Sequence, residues 1–161
     1  SWMPNKRIEL MKELYSQLSK RKNLEVAVFG DVPLKDVNNL VYYGNITRMP
    51  ELASIMRECS IYIETSNSIF ADQLTLNAMA SGVVPVRPIR NADTTICKHL
   101  YNSILTKSDA LEDILEVLEK ILNDIEVRER LVENCIGSVS ARSQTLIAEQ
   151  FIDFFRKNKL D

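Results

Sequence analysis

Short apolar runs alternate along this chain with longer segments of helical periodicity, and this alternation constrains the fold more than any other feature. The runs are rich in Val, Ile, Leu and Tyr, and each ends at a glycine, a proline or a polar residue. Strands are predicted at 24–31, 40–45, 60–65, 83–88 and 102–107. Buried strands separated by helices predict an α/β domain with a doubly wound, Rossmann-like parallel sheet and helices on both faces.

Apolar residues recur at helical spacing in the segments between these strands. Helices are predicted over 5–21, 49–59, 68–81, 109–122, 124–135 and 143–157, with a loop or short helix at 91–100. The helix at 68–81 is apolar almost all round and should be the most buried, and Gly82 is expected to end it. Asp109 and Glu112 predict a capping box for the next helix. Gly137 is expected to interrupt helical structure after residue 135.

The charge and cysteine content argue against several classes of protein. The chain has 161 residues, a net charge of −2 and scattered basic residues, so no nucleic-acid partner is predicted. Its three cysteines form no CxxC pair, which favours reduced thiols and a cytoplasmic protein. His99 is the single histidine, and we expect it to have a surface or packing role rather than to bind zinc. No apolar run reaches the ~18 residues of a membrane span, and no signal peptide is recognisable.

The carboxyl ends of the predicted strands mark where a ligand would bind. In doubly wound sheets ligands lie in the crevice at that edge, so the residues just after each strand are the candidates. They lie at 30–31, 44–45, 65–70 and 87–95. The helix that follows 65–70 would offer unpaired N–H groups and a positive dipole end to an anion, yet its start contains no glycine.

Five segments, taken in order, resemble one protein family. They read VAVFGDVPL, VYYGNITRMPELASIMRECSIYIETS, LNAMASGVVPV, YNSIL and ILNDIEVRERLVENC. In order and spacing they are similar to the C-terminal, donor-binding half of retaining GT-B glycosyltransferases. The resemblance implies that residues 1–161 form a single Rossmann-like domain, the C-terminal half of a two-domain GT-B protein. The implied donor is a nucleotide-diphosphate sugar without a further cofactor, an N-terminal domain would hold the acceptor, and any peripheral membrane contact would come through that domain.

The resemblance also implies which residues face the donor. Lys6 falls at a lysine that contacts the donor phosphates in the family, and Asn45 and Ile46 fall where the base is seated. The family's two donor-binding glutamates correspond to Ile69 and Asn77, so both carboxylates are absent. Asn77 can still form hydrogen bonds with a ribose, whereas Ile69 offers a sugar no polar group.

Other polar residues near the strand ends are candidates to compensate for the lost carboxylates. Glu64, Ser66 and Ser68 crowd the end of the third strand, and Glu64 is a candidate replacement carboxylate. A capped helix with a solvated loop is the alternative reading of this segment. Arg87 and Arg90 follow the fourth strand, where a guanidinium can meet a phosphate.

These features leave two main functional hypotheses. In the first, the domain binds a nucleotide sugar and the whole protein transfers the sugar to a glycan, lipid or protein acceptor, while the isolated domain does not turn over. In the second, a degenerate domain serves as a partner subunit or glycan-binding module. The lost carboxylates favour the second, as do residues 70–72, which replace the family's glycine-rich turn and place Asp72 where a diphosphate would lie. A doubly wound binding domain of another family is a third reading.

Overall fold

The computed structural model describes residues 8–21, 23–30, 40–64 and 71–142, together with Glu149 and Ile152. Within these ranges helices and strands alternate as the sequence predicts. The order is α1 (Ile8–Leu18), β1 (Val26–Val28), β2 (Leu40–Tyr42), α2 (Met49–Arg57), β3 (Ile61–Ile63), α3 (Ala71–Ala80), β4 (Val84–Pro88), β5 (Ile104–Thr106), α4 (Leu111–Asn123) and α5 (Ile125–Ser140), with a 3₁₀ helix (Ile89–Asn91) after β4. Most of the helix predicted at 143–157 lies outside the described residues.

The described strands form two sheets, and every pair in them is parallel. β1 pairs with β2, while β4 lies between β3 and β5 in a three-stranded sheet. Helices α1 and α4 contribute to the core on one face, and α2 and α3 contribute to the core on the other. Helix α5 packs against α3, α4 and β4. This arrangement confirms the predicted doubly wound, Rossmann-like α/β domain.

Strand β4 is the centre of the domain, and all five of its residues are buried. Val84 and Val86 join the larger core cluster together with Leu14 from α1 and Ile114 from α4. A strand that is buried on both faces has a nearly continuous apolar sequence, which is why this strand could be predicted. Arg87 is the charged exception within it.

Gly82 ends α3, as the sequence predicts. Its φ of +75° lies in the left-handed region, where a residue without Cβ is favoured. The N–H of Gly82 donates to the carbonyl of Met79 at 3.1 Å, and that of Val83 donates to Ala78 at 2.9 Å. These two bonds form a Schellman motif, which satisfies the last carbonyls of the helix. Thr75, Ala78 and Met79 of α3 are completely buried, in keeping with its apolar pattern.

The capping box predicted for α4 is wrong. Ala110 is the N-cap residue and makes no side-chain capping bond. The Asp109 carboxylate pairs instead with Arg90. Asp113, inside the first turn, reaches back and accepts bonds from the N–H and hydroxyl of Ser108, at 3.0 and 2.7 Å. The helix start is therefore stabilised by a contact between Ser108 and Asp113 in place of the predicted pair of Asp109 and Glu112.

The predicted interruption at Gly137 is also wrong, because Gly137 lies inside α5. The helix continues to Ser140. A glycine in a helix interior costs about 1 kcal/mol relative to alanine. Complete burial of Leu131 and Cys135 on the same helix outweighs that cost, since each buried apolar side chain contributes roughly 1.5–3 kcal/mol.

We expect Gly82→Ala and Gly137→Ala to change stability in opposite directions. At Gly82 a Cβ would lie 3.6 Å from Val132, an ordinary contact, but the positive φ should cost about 1–2 kcal/mol. At Gly137 nothing lies within 4 Å of an added Cβ, so alanine should gain roughly 0.5–1 kcal/mol. Urea unfolding measures both changes, and a destabilising Gly137→Ala would contradict the helical position of Gly137.

Candidate functional site

Two charged residues are buried side by side at the carboxyl end of the three-stranded sheet. Glu64 directly follows β3 and is 7% exposed, and Arg87 on β4 is 1% exposed. They are neighbours because Ile63 pairs with Val86, and the Glu64 N–H donates to the Val86 carbonyl at 3.0 Å. Buried charges are costly unless they are paired or hydrogen-bonded. The partners that satisfy them determine the chemistry of this edge.

Glu64 is bound by Tyr62, which lies two residues earlier on β3. The Tyr62 hydroxyl donates to Glu64 Oε2, and its ring stacks nearly parallel to Phe29 with 6.3 Å between the centroids. Burial, reinforced by the Glu64 charge, raises the pKa of Tyr62 well above its usual value. The same two causes raise the pKa of Tyr15. Glu64 thus lies at the carboxyl edge of the sheet beside two phenols with raised pKa values, and its role as a replacement carboxylate stays a prediction.

Arg87 is directed towards α3 rather than towards solvent. Its Nη1 donates to Asp72 Oδ1 in an ion pair and to Thr75 Oγ1 at 3.1 Å. Burial raises the pKa of the nearby Cys97 thiol, and the Arg87 charge partly offsets that rise. Asp72 is 35% exposed, so the pair is open to solvent only on its carboxylate side. This cluster fixes the first turn of α3 to the centre of the sheet.

The ion pair places a negative charge at the start of α3. A carboxylate in the first helical turn is favoured by the helix dipole, and Asp72 is the acidic residue of that turn. The role of Arg87 in binding a donor phosphate stays a prediction. In the structure its guanidinium serves an internal ion pair.

Arg90 differs from Arg87 in its exposure. It lies in the 3₁₀ helix after β4, its side chain is 49% exposed, and it pairs with Asp109. The Asp109 side chain is only 13% exposed, so solvent reaches this ion pair mainly from the arginine side. Of the two arginines predicted to meet phosphate, Arg90 is the accessible one.

Asn77 faces a groove between α2 and α3. Its Oδ1 accepts a bond from Gln73 Nε2 at 3.2 Å, and its Nδ2 lies 3.6 Å from the Met49 sulfur. The groove has a volume of about 410 Å³. Its lining is mainly small or apolar: Met49, Leu52, Ala53, Arg57, Asn77, Ala80 and Ser81. Because a thioether is a weak acceptor, the Asn77 amide can exchange this contact for a ligand hydroxyl.

The segment between β2 and α2 holds the two residues predicted to seat the base. Gly44 adopts a φ of +68°, and its carbonyl accepts from the Gly30 N–H at 2.7 Å. Asn45 is exposed, whereas Ile46 is half-buried and packs against the cluster that contains Leu52. Seating of a base by Asn45 and Ile46 stays a prediction.

Four of the predicted donor contacts lie outside the described residues: Lys6, Ser66, Ser68 and Ile69. Of the side chains that are described, no group of three or more His, Cys, Asp or Glu residues could hold a metal ion. No helix in the described ranges is long and apolar enough to cross a membrane. The three cysteines are free, and His99 is an exposed residue whose Nδ1 accepts from the Leu105 N–H at 3.0 Å.

The sequence analysis did not predict that Tyr62 and Thr75 belong to the buried cluster around Glu64 and Arg87. A signal was present in each case. Tyr62 and Glu64 are two residues apart at the end of a strand, so their side chains share one face. Asp72 and Thr75 are three residues apart in a helix and so face the same neighbour. The sequence does not show the strand register that places Arg87 between the Tyr62–Glu64 pair and the Asp72–Thr75 pair.

Solved structures share this fold along almost the whole chain. Anabaena Alr3699/HepE in complex with UDP and glucose gives a TM-score of 0.72 at 15% identity, covering 96% of this chain and 45% of that protein. The complex of the same protein with UDP-glucose gives 0.73 at 15% identity, covering 98% and 46%. TarM gives 0.69 at 17% identity, covering 95% and 33%. The domain therefore shares its fold with the matching part of each of these proteins.

The chain spans less than half the length of these proteins. No protein-family profile matches it, and a comparison with curated proteins finds no match. The likeness is thus one of fold, at a sequence identity of 15–17%.

We expect Asp72→Asn to lower the free energy of unfolding by roughly 1.5–3 kcal/mol, because the buried Arg87 loses a charged hydrogen-bond acceptor. The matched control is Glu119→Gln, which removes the negative charge from the exposed ion pair with Arg21 and should cost less than about 1 kcal/mol. Urea unfolding at pH 7 measures both. Equal effects of the two variants would contradict a structural role for the buried pair.

Alkaline pH should destabilise the domain through its buried phenols and thiols. Burial raises the pKa of Cys135 to about 12, and burial with the Glu64 charge raises that of Tyr62. The folded state holds these protons more tightly than the unfolded chain does. Their contribution to stability is therefore complete below about pH 9 and is lost as the pH rises through the folded pKa values.

Tyr62→Phe should make this alkaline loss less steep, by up to ~1.4 kcal/mol per pH unit above about pH 10, because one titrating group is removed. At neutral pH the variant should be less stable by roughly 1.5–3 kcal/mol, since Glu64 loses a hydrogen-bond donor. Chemical unfolding between about pH 7 and 11 measures both effects. The exposed Tyr101→Phe is the control, and an equal change of slope there would rule out burial as the cause.

Proposed function

We propose that this domain is the nucleotide-sugar-binding half of a glycosyltransferase that transfers a sugar to a glycan, lipid or protein acceptor. The observation that carries the proposal is the likeness in fold, over 96–98% of the chain, to a protein solved with UDP and glucose and with UDP-glucose. The order of the segments that resemble GT-B enzymes supports it independently. Both point to a donor bound at the carboxyl edge of the sheet, where the buried Glu64 lies.

In this proposal the groove beside Asn77 receives the ribose. The Asn77 amide replaces its contact with the Met49 sulfur by bonds to ribose hydroxyls. Asn45 and Ile46, which precede α2, seat the base. Glu64, with Ser66 and Ser68, takes the sugar side in place of the carboxylate absent at Ile69.

The donor phosphates need positive charge, and the domain has three candidates for it. Arg87 is bound to Asp72, so its charge is already largely compensated. Arg90 is half exposed, and its five N–H donors let it meet a phosphate while it stays paired with Asp109. Lys6 is the third candidate. We therefore assign phosphate binding chiefly to Arg90 and Lys6, with Arg87 keeping Asp72 in place.

The remaining features of the activity follow from the resemblance. Transfer proceeds with retention in a two-domain GT-B protein, whose N-terminal domain holds the acceptor and makes any membrane contact. The protein acts in glycan biosynthesis in the cytoplasm. Because this chain corresponds to less than half of the proteins it resembles, we expect it to bind a donor without turning it over.

One observation favours the alternative of a degenerate partner or glycan-binding domain. Asp72 occupies the first turn of α3 and is held there by a buried arginine. A diphosphate placed against that helix start would meet a carboxylate that the fold cannot easily move. Asn77 offers an amide rather than a carboxylate, which weakens donor binding further. In this alternative the domain binds a nucleotide sugar too weakly for transfer and acts by binding a partner protein or a glycan.

Nucleotide titration distinguishes the two functions. We expect UDP and UDP-glucose, added to the ¹⁵N-labelled chain, to shift amide signals of the groove between α2 and α3. Asn77→Ala should weaken binding about 5- to 10-fold, the equivalent of one lost hydrogen bond. Asn77→Glu should strengthen it, because a carboxylate forms stronger bonds with vicinal hydroxyls than an amide does.

Asn123→Ala, an exposed change at the end of α4, is the matched control and should leave the affinity unchanged. Titration with GDP tests whether the domain discriminates between uracil and guanine. A folded chain that shows no shifts with any of these nucleotides at several millimolar would establish the degenerate alternative.

A further inference from the structure

Glu64 and Arg87 occupy adjacent positions on one face of the three-stranded sheet. Ile63 pairs with Val86 in the parallel register, so the next residues of the two chains, Glu64 and Arg87, lie side by side. Ile63 and Val86 belong to the core cluster on the side of α1 and α4. Because side chains alternate along a strand, Glu64 and Arg87 point to the other face, which α2 and α3 cover. The groove beside Asn77 lies between these same two helices.

The Tyr62 hydroxyl holds the Glu64 carboxylate on this face. Tyr62 lies two residues before Glu64 and donates to its Oε2. The Tyr62 ring stacks on Phe29, with 6.3 Å between the centroids, and packs against the core cluster that contains Leu52. A hydroxyl on a ring that is fixed by packing is itself fixed, and it orients the group to which it donates. Tyr62 therefore positions a carboxylate that is 7% exposed.

An ionised carboxylate only accepts hydrogen bonds, and this property decides which ligand group Glu64 can bind. Its two oxygens offer about four acceptor positions, so it can accept a ligand hydroxyl in addition to the Tyr62 hydroxyl. A hydrogen bond from a hydroxyl to a carboxylate is charge-assisted and is roughly twice as strong as a neutral one. A ligand that brought a carboxylate of its own would instead place two like charges together.

The charges already present in this cluster make a further negative charge unfavourable. Glu64 and Asp72 carry two negative charges and Arg87 carries one positive charge, which leaves the three groups with a net charge of −1. The positive charge is bound to Asp72 by the ion pair. At an effective dielectric constant of about 20, like charges within several ångströms of each other repel appreciably. The ligand group that suits Glu64 is therefore neutral and rich in hydroxyls.

We propose that the sugar side of the donor site selects a neutral, hydroxyl-bearing sugar and rejects a uronic acid, through the Glu64 carboxylate that Tyr62 positions. This inference rests on the proposed donor function, in which Glu64 takes the sugar side. It adds the class of sugar, and it assigns Tyr62 as a positioning residue that acts through Glu64. Asn77, in the groove for the ribose, contributes to nucleotide affinity and not to the choice of sugar.

Three ligands with the same nucleotide test this selection in the unmodified chain. UDP lacks the sugar, UDP-glucose presents hydroxyls, and UDP-glucuronic acid carries a carboxylate in place of the hydroxymethyl group of glucose. We expect UDP-glucuronic acid to bind at least ~10-fold more weakly than UDP-glucose, because Glu64 and Asp72 repel its carboxylate. Calorimetry measures the three affinities, and this comparison does not depend on the folding of any variant.

Glu64→Gln tests whether the charge of Glu64 is the cause. Glutamine keeps the size of the side chain and one acceptor oxygen, but it removes the negative charge. The difference in affinity between UDP-glucose and UDP-glucuronic acid should then fall below ~3-fold. The matched control is Glu133→Gln, which removes the same charge from an exposed position on α5 and should leave the difference intact.

Tyr62→Phe tests the positioning role, because it keeps the ring and removes the hydroxyl. We expect UDP-glucose to bind about 5-fold more weakly to this variant, the equivalent of one weakened hydrogen bond, and UDP to bind as before. A merely structural defect would weaken the binding of both ligands. In the double variant with Glu64→Gln, the loss should be no greater than with Glu64→Gln alone, since Tyr62 acts through Glu64.

The results that would overturn the inference differ from those that would overturn the proposed function. Clear binding of UDP with equal affinities for UDP-glucose and UDP-glucuronic acid would refute the selection and leave nucleotide binding intact. Equal losses of UDP and UDP-glucose binding in Tyr62→Phe would refute the positioning role. A folded chain that binds none of the three ligands would overturn both the proposed function and this inference.

Discussion

The ion pair between Arg87 and Asp72 is the interaction on which the carboxyl edge of the three-stranded sheet depends. Arg87 lies in β4, a strand whose residues are all buried, and an arginine there requires a fixed counter-charge. Asp72 supplies it from the first turn of α3, and Thr75 adds a hydrogen bond one turn later. The start of α3 is therefore positioned by the core rather than by solvent or by a ligand.

This arrangement changes what the helix start can bind. An uncapped helix start attracts anions through its free N–H groups and its dipole. Here a carboxylate is already at that place, and the arginine behind it is neutralised by the same contact. Positive charge for an anion must then come from more exposed groups such as Arg90. The need to pair a buried arginine in the core thus determines the electrostatics of the candidate site.

The rest of the site is rich in hydrogen-bonding groups and poor in free charge. Glu64 accepts a hydrogen bond from the Tyr62 hydroxyl, and Asn77 offers a neutral amide. Neutral hydrogen bonds are about half as strong as charge-assisted ones. A nucleotide sugar bound as proposed would therefore rely more on shape and neutral hydrogen bonds than on charge.

The alternation of strands and helices was predictable because burial on both faces of a parallel sheet imposes it on the sequence. Gly82 was predictable for a similar reason, since its left-handed φ admits few other residues. The helical position of Gly137 was not, because the packing of α5 outweighs a local preference of about 1 kcal/mol. The Arg87 cluster was also missed, because it joins residues of β4 and α3 whose relative position only the register of the sheet determines.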